Sequence, residues 1–405
     1  MPRRLLLFAA TTGYQIRVFA DAARRLGVEL TLATDRCHVL EDPWGDHAIA
    51  VKFDRIAESV EALRSLECDG IAAVGDRPAL LAAAAAEALG VAFHPLSAAR
   101  ACNDKFLARQ LYQTAGLRVP QFFRADLEQE PHTLAGRAPY PCVLKPQGLS
   151  ASRGVIRAND EREFVDAVRR IRKMGEQQIQ VESYIAGREF AVEGLVTAGR
   201  FQPLAIFDKP DPLEGPFFEE TIYVTPSRES AAVQLELLET TARAVRALGL
   251  RHGPVHAELR YNSDGAWVLE TAARPIGGLC AKTLVFEPDM PLEEIILRHA
   301  LGEDVTRAHT KRPASGVMMI PIPKDGIYES VDGLEKARTV LGIEDVIITA
   351  KEGQRLVPLP EGASYLGFIF ARGDTPTEVE AALRQSHAEL QFHVATALET
   401  FKPSS

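Results

Sequence analysis

The stretch HAELRYNSDGAWVLETAARPIGG, residues 256–278, sets Glu258 and Glu270 on either side of a turn signal, Ser263-Asp264-Gly265. A three-residue loop with Gly265 in the left-handed position pairs Asn262 with Ala266. Continuing that register sets Glu258 opposite Glu270. Strand alternation then predicts one face carrying His256, Glu258 and Arg260 with Val268, Glu270 and Ala272. The other face, with Ala257, Leu259, Trp267 and Leu269, is the expected core side. Two carboxylates about 5 Å apart repel by roughly 3 kcal/mol at an effective dielectric near 20. A bridging divalent cation removes that cost, and magnesium favours one or two carboxylates together with phosphate oxygens. The competing reading is an exposed hairpin in which Arg260 neutralises one glutamate in water.

A second chemical stretch is CVLKPQGLSASRGV, with Lys145 on a predicted strand before a Gly/Ser-rich turn. Backbone N–H groups of such a turn can cover phosphates, although the absence of G-K-[ST] excludes a P-loop. VESYIAGREF adds Glu182 and Glu189, which by themselves read as ordinary surface glutamates. The turn after the first predicted strand, TTGY, has only Gly13 and lacks G-x-G-x-x-G, which argues against a nicotinamide or flavin site.

The elements that must position these residues follow from patterning. RLLLFAA, VELTLAT, AIAVKF and GIAAVG read as strands, alternating with helices in YQIRVFADAARRLG, AESVEALRSL and PALLAAAAAEALG. That order predicts a small parallel sheet covered by helices. SAARACNDKFLARQLYQTAG reads as one helix ending near Gly116. A hairpin after RAPYPCVLKP, a helix in EREFVDAVRRIRKMG and two strands in QQIQVESYIAGREFAVEGLV follow. DKPDPLEGPFFEE reads as a mobile loop over a site. Strands in ASGVMMIPIP and EDVIITA precede a helix with Thr375 as N-cap, Pro376 at its first position and Glu378 completing a capping box.

With 405 residues, several domains are expected. A net charge of −9 without a basic tract excludes an ordinary nucleic-acid-binding face. Cys37, Cys68, Cys102, Cys142 and Cys280 are odd in number and unpaired in spacing, so reduced buried thiols are expected rather than disulfides or a zinc knuckle. MPRRLLLFAATTG reads as a first buried strand rather than a signal peptide, and the Ala-rich run is too short to span a membrane. A cytoplasmic protein with no membrane partner is expected.

Taken together, NDKFLAR, VLKPQGLSASRGV, VESYIAGREF, IFDKP, GPVHAELR and LETAARPIGG, in that order, resemble the ATP-grasp superfamily, specifically its carboxylate–amine ligases, relatives of biotin carboxylase and D-alanine–D-alanine ligase. GVMMIPIPKDGIYESVDGLEKA is similar to the C-terminal part of L-amino-acid ligases. The resemblance implies an α/β and α+β chain: a Rossmann-like pre-ATP-grasp domain over 1–96, an ATP-grasp domain over 97–300 with a mobile lid at about 118–190, and a C-terminal α+β portion over 301–405. It implies ATP and Mg2+, with Mn2+ as a substitute. Lys105 and Lys145 would contact phosphates, under the Gln147–Gly154 turn with Ser150, Ser152 and Gly154. Glu182 and the backbone near Tyr184 and Ile185 would receive adenine, and Glu189 the ribose. Glu258 and Glu270 would bind the metal, Arg274 would stabilise an acyl phosphate, and Lys209 would reach the γ-phosphate.

One departure stands out. The family often has asparagine two residues after the second metal glutamate, and here that residue is Ala272. His256, opposite it in the predicted register, or water would fill the place, unless His256 is a hydrogen-bonded packing residue. The implied activity is ATP-dependent amide or peptide bond formation from a small-molecule carboxylate and an amine, in a chain whose relatives are often homodimers. Alternatives are a ligase acting on bicarbonate or a purine-pathway intermediate, a non-catalytic ATP-binding sensor and a small-molecule kinase.

Overall fold

Uninterrupted apolar strands are buried on both faces, and the N-terminal region is built on three of them. In the computed structural model, Arg4–Ala9 lies between Glu29–Thr34 and Gly70–Val74, with Ile49–Ala50 at one edge, all parallel. Residues 2–10, 15–35, 48–310, 313–362 and 364–396 are described; Cys37 and the TTGY turn with Gly13 lie outside them. Leu5 through Ala9 are all buried between helices, as the unbroken apolar run requires. Helix Ile16–Leu26 stops at Gly27 (φ 64°), and Asp76–Leu89 buries most of its alanine run. AIAVKF gives only a two-residue strand. The Ser59 hydroxyl takes up both the N–H and the C=O of Lys52, at 2.8 and 2.9 Å, which ends the ladder there.

The helix expected through Gly116 is two helices, Leu96–Asn103 and Lys105–Thr114. Asp104 is extended between them and its carboxylate accepts from Phe106 and Leu107 N–H, both at 3.0 Å. An aspartate in the middle of a helical pattern competes for backbone donors, and here it wins as an N-cap.

Two compact units emerge from the contacts. The first joins residues 1–119, 187–208 and 226–313. Besides the parallel sheet, it holds strands in the order Gly265–Ala272, Gly253–Asn262, Arg188–Thr197 and, as far as Asp208, Arg200–Lys209, the first three antiparallel. Phe190, Val192, Val255, Ala257, Leu259, Ala266 and Val268 supply the apolar side of these strands. Helix Ala231–Leu248, capped by Ser230 and stopped by Gly249 (φ 77°), adds Leu237, Ala244 and Val245 to the same core.

The second unit joins 120–186, 209–225 and 314–405. One of its sheets has the order Phe122–Asp126, Gln178–Ser183, Cys142–Pro146, Ile156–Ala158, with the expected hairpin between the last two. Helix Glu161–Lys173 starts at the Asp160 cap and buries Phe164, Val165, Val168 and Ile171 on one stripe. The C-terminal portion is α+β. Strands Ile222–Thr225, Ala314–Ile320, Gly367–Gly373 and Ile343–Ile348 pair in that order, and helix Pro376–Ala388 begins with the predicted capping box. Among the described residues, Cys68, Cys102, Cys142 and Cys280 form no disulfide. No described helix is long and apolar enough to cross a membrane.

Candidate active site

Glu258 and Glu270 do face each other, by a route different from the one the turn suggested. The loop has two residues, Ser263 and Asp264, because Asn262 pairs with Gly265 (φ 107°) rather than with Ala266. That register alone sets Glu258 against Leu269. A bulge corrects it: Leu259 pairs with Val268, Glu258 pairs with Glu270, and Leu269 is the extra residue. The face assignment near the turn changes accordingly. Val268 is fully buried with Leu259 in the core, whereas Trp267 and Leu269, expected there, are only partly buried. Trp267 lies opposite Arg260, and its indole N–H donates to the Asn262 side chain at 3.1 Å.

Beyond the bulge, three adjacent strands bring charged residues to one face. Glu189, Ala191 and Glu193 pair with Arg260, Glu258 and His256, and the last two pair in turn with Glu270 and Ala272. Arg260 donates to Glu189 at 2.9 Å, and both are buried. A carboxylate oxygen of Glu189 and one of Glu258 lie within 4.8 Å of each other. His256 is hydrogen-bonded through Nδ1 to Glu193 and through Nε2, at 3.4 Å, to Glu258. Burial pulls its pKa down, but Glu193 and then Glu258 outweigh this and raise it to about 9. Both of its ring nitrogens are engaged by carboxylates, which makes it a brace between Glu193 and Glu258. Glu189, Glu193, Glu258 and Glu270 share this face with His256 and Arg260, and Arg274 also acts on Glu270 and Glu193.

Arg274 follows the second glutamate strand and is held by Asp76, the first residue of helix Asp76–Leu89, at 2.7 Å. Its Nη1 also donates to the Pro275 carbonyl at 3.1 Å. Burial opposes both charges, yet the pair keeps them: Asp76 raises the arginine pKa, and Arg274, then Lys105, lower that of Asp76. Lys105 starts helix Lys105–Thr114, so its place beside Asp76 is fixed by the Asp104 cap.

The remaining candidates belong to the second unit. Lys145 forms a 2.7 Å ion pair with buried Glu182, which also accepts from Gln180 on its own strand. Tyr184 carries the Arg157 guanidinium 4.0 Å from its ring centroid, and Ile185 is buried. The Gln147–Gly154 turn uses positive φ at Ala151, Ser152 and Gly154. Four of its amides donate: Gln147 to the Gln178 carbonyl at 3.2 Å, Gly148 to Glu176 at 3.1 Å, Arg153 to the Ser150 carbonyl at 3.3 Å and Gly154 to the Pro360 carbonyl at 2.8 Å. Lys209 is buried, paired with Glu220, and 4.9 Å from the Tyr223 ring centroid.

Sequence patterning passed over Asp76 and Glu193. Glu193 was legible, since period-2 alternation from Glu189 puts it on the same face. Asp76 was not, because nothing local ties it to an arginine 198 positions away.

The lysine-bearing hairpin, the glutamate pair on antiparallel strands and the arginine that follows all lie in one segment that matches a known domain. Residues 138–283 match the ATP-grasp domain, and residues 318–395 match L-amino acid ligase C-terminal domain 2. The chain carries both domains. Its fold is similar to that of an L-amino acid ligase from Bacillus licheniformis, at TM-score 0.80 and 26% identity, covering 97% of this chain and 99% of that one. By sequence it is 24% identical, over 73% of its length, to an uncharacterized protein of Sinorhizobium fredii, and 28% identical, over 45%, to a D-alanine–D-alanine ligase of Bordetella petrii. The chain spans 62% and 57% of those two relatives.

Proposed function

We propose that this chain is an ADP-forming carboxylate–amine ligase that joins a small carboxylic acid, an amino acid in the first instance, to an amine. The carrying observation is the face on which Glu258 opposes Glu270, followed in sequence by an Arg274 fixed on Asp76. Hard carboxylate oxygens suit Mg2+, or Mn2+ in its place. Held by Glu258 and Glu270, such an ion would screen phosphate charge and orient the transferring group.

A carboxylate is a poor electrophile, so it must be activated. Its oxygen attacks the γ-phosphorus of ATP, the bond to ADP breaks, and an acyl phosphate results. The amine nitrogen then attacks the acyl carbon, the carbon–oxygen bond to phosphate breaks, and the nitrogen sheds a proton. Lys105, Lys145 and Lys209 supply positive charge to the phosphates, and Arg274, unable to deprotonate, supports the acyl phosphate. Ser150, Ser152 and Gly154 cover the phosphates once the amides of their turn exchange partners. Glu182 and the backbone at Tyr184 and Ile185 take the adenine, Glu189 takes the ribose, and His256 holds Glu258 in place. Use of ATP as substrate puts the reaction in the cytoplasm.

The L-amino acid ligase C-terminal domain favours an amino-acid carboxylate over bicarbonate. Incubating the protein with Mg-ATP, a panel of amino acids and hydroxylamine is expected to yield hydroxamate and equimolar ADP and phosphate. A stable phosphorylated product without phosphate release would make the protein a kinase. ATP binding without turnover across a broad panel of acids and amines would make it a sensor.

A further inference from the structure

Arg109 lies on helix Lys105–Thr114, is 2% exposed, and has no role in the chemistry above. Its Nη1 donates to the Val268 carbonyl at 3.0 Å and its Nη2 to the Leu269 carbonyl at 2.7 Å. Those residues form the bulge that brings Glu270 opposite Glu258. Successive carbonyls of a regular strand point in opposite directions, so one guanidinium fork cannot take both. At a bulge the first residue turns toward helical backbone angles, which lets neighbouring carbonyls point the same way. Arg109 thus binds a backbone shape that exists only in the bulged register.

The competing register is close at hand. With the two-residue turn and no bulge, Glu258 would oppose Leu269 and Glu270 would oppose Ala257. A one-residue slip turns every side chain beyond it to the other face. Glu270 would then enter the apolar side of the sheet, beside fully buried Ala257 and Leu259. We infer that Arg109 is a positioning residue for the metal pair, a clamp on the Val268–Leu269 bulge that fixes which face Glu270 occupies. This rests on reading Glu258 and Glu270 as metal ligands.

The test follows Mn2+ binding to the full chain by electron paramagnetic resonance at saturating ADP, which needs no knowledge of the acid or the amine. Glu270→Gln is expected to weaken Mn2+ at least 10-fold; no change there removes the metal reading itself, whatever Arg109 does. With Glu270→Gln behaving as expected, Arg109→Lys, which lacks the fork, is expected to weaken Mn2+ about 10-fold. Unchanged Mn2+ affinity in that variant overturns the inference. Leu63→Ala, in the same core but on helix Ile56–Leu63, supplies a matched loss of melting temperature and is expected to leave Mn2+ affinity alone. An equal shift in that variant would reduce Arg109 to a packing residue and overturn the inference.

Deleting Leu269 gives the sharpest readout. Without the extra residue a regular ladder again sets Glu258 opposite Glu270, and the clamp has nothing to hold. In that background Arg109→Lys is expected to cost less than 2-fold in Mn2+ affinity. A 10-fold loss there overturns the inference, and the deletion background supplies this readout also where Arg109→Lys alone does not fold.

Discussion

The two units hold their candidate site residues in different ways. In the first, Glu189 answers Arg260 and Glu193 answers His256 across adjacent strands, and Arg274, just after a strand, is met by Asp76 at the start of a helix. Every one of these pairs is buried or nearly so. The second unit also has ion pairs, Lys145–Glu182 and Lys209–Glu220, but adds to them a turn held by backbone hydrogen bonds at positive φ. Oxygens that must present fixed charge to a metal are best placed on rigid strands. Groups that must admit and release a nucleotide are better placed on a turn whose bonds exchange.

Removing charge from the rigid half is the strongest test of that contrast. Glu270→Gln is expected to lower turnover by roughly 10³-fold, the several kcal/mol that a correctly held metal contributes to charge stabilisation. The melting temperature should stay level or rise, because the facing carboxylates repel by roughly 3 kcal/mol. Steady-state ADP release together with a thermal melt checks both. Retained turnover would mean that the face is not the metal site, and a large loss of stability would mean that Glu270 packs rather than ligates.

In the second half, Lys145→Met should raise KM for ATP by about 10- to 100-fold, from loss of a charge-assisted contact of roughly 1.5–3 kcal/mol. It should also destabilise the protein by about 3 kcal/mol, because Glu182, 2% exposed, loses its cation. Adding Glu182→Gln should recover most of that stability and little of the KM. Recovery of both would make the pair a structural one and remove Lys145 from the nucleotide site.

Acid should separate the units as well. His94 and His299, both in the first unit, have pKa values lowered by burial to about 4. His252, stacked on His299 with ring centroids 4.2 Å apart, is lowered by burial too. In the unfolded chain these groups take protons near pH 6.5, well before the folded protein does. Their contribution is intact above about pH 6.5 and is lost as pH falls to about 4, by roughly 3 kcal/mol for each of the two fully buried rings. Glu293, raised by burial to about 7, works in the other direction and disfavours the fold as pH rises toward that value. Hydrogen exchange at pH 5 is expected to show opening first in the first unit. Earlier opening in the second would break the contrast.

How much of this was legible in the sequence depended on range. The parallel sheet came from unbroken apolar runs such as Leu5–Ala9, and the Thr375 capping box came from four adjacent residues. The Glu258–Glu270 pairing was reached through a turn that the chain does not use. A three-residue loop without a bulge and a two-residue loop with one give the same pairing beyond Leu269. Only the burial of Val268 in place of Trp267 and Leu269 tells them apart. Propensity does not reveal the bulge, because its stabilising partner, Arg109, lies 159 positions from Val268. The same distance problem concealed Asp76 behind Arg274. Local patterning saw strands, caps and alternation; it could not see which helix lends a charge to which strand.

The mildest test concerns the turn. Gly154 has φ 66°, and a Cβ there would come within 2.6 Å of the Pro146 ring. Pro146 ends the strand that carries Lys145, so the strain would pass to the base of the turn. A non-glycine residue in the left-handed region costs roughly 1–2 kcal/mol, and displacing a proline ring adds to it. Gly154→Ala is therefore expected to lower stability by about 2 kcal/mol and raise KM for ATP several-fold. Turnover at saturating ATP should change by less than about 2-fold, since the Glu258–Glu270 face lies in the other unit. A fall in saturating turnover that matches the rise in KM would mean that the turn acts in the transition state rather than in nucleotide entry, and the division between a rigid half and an exchanging half would no longer hold.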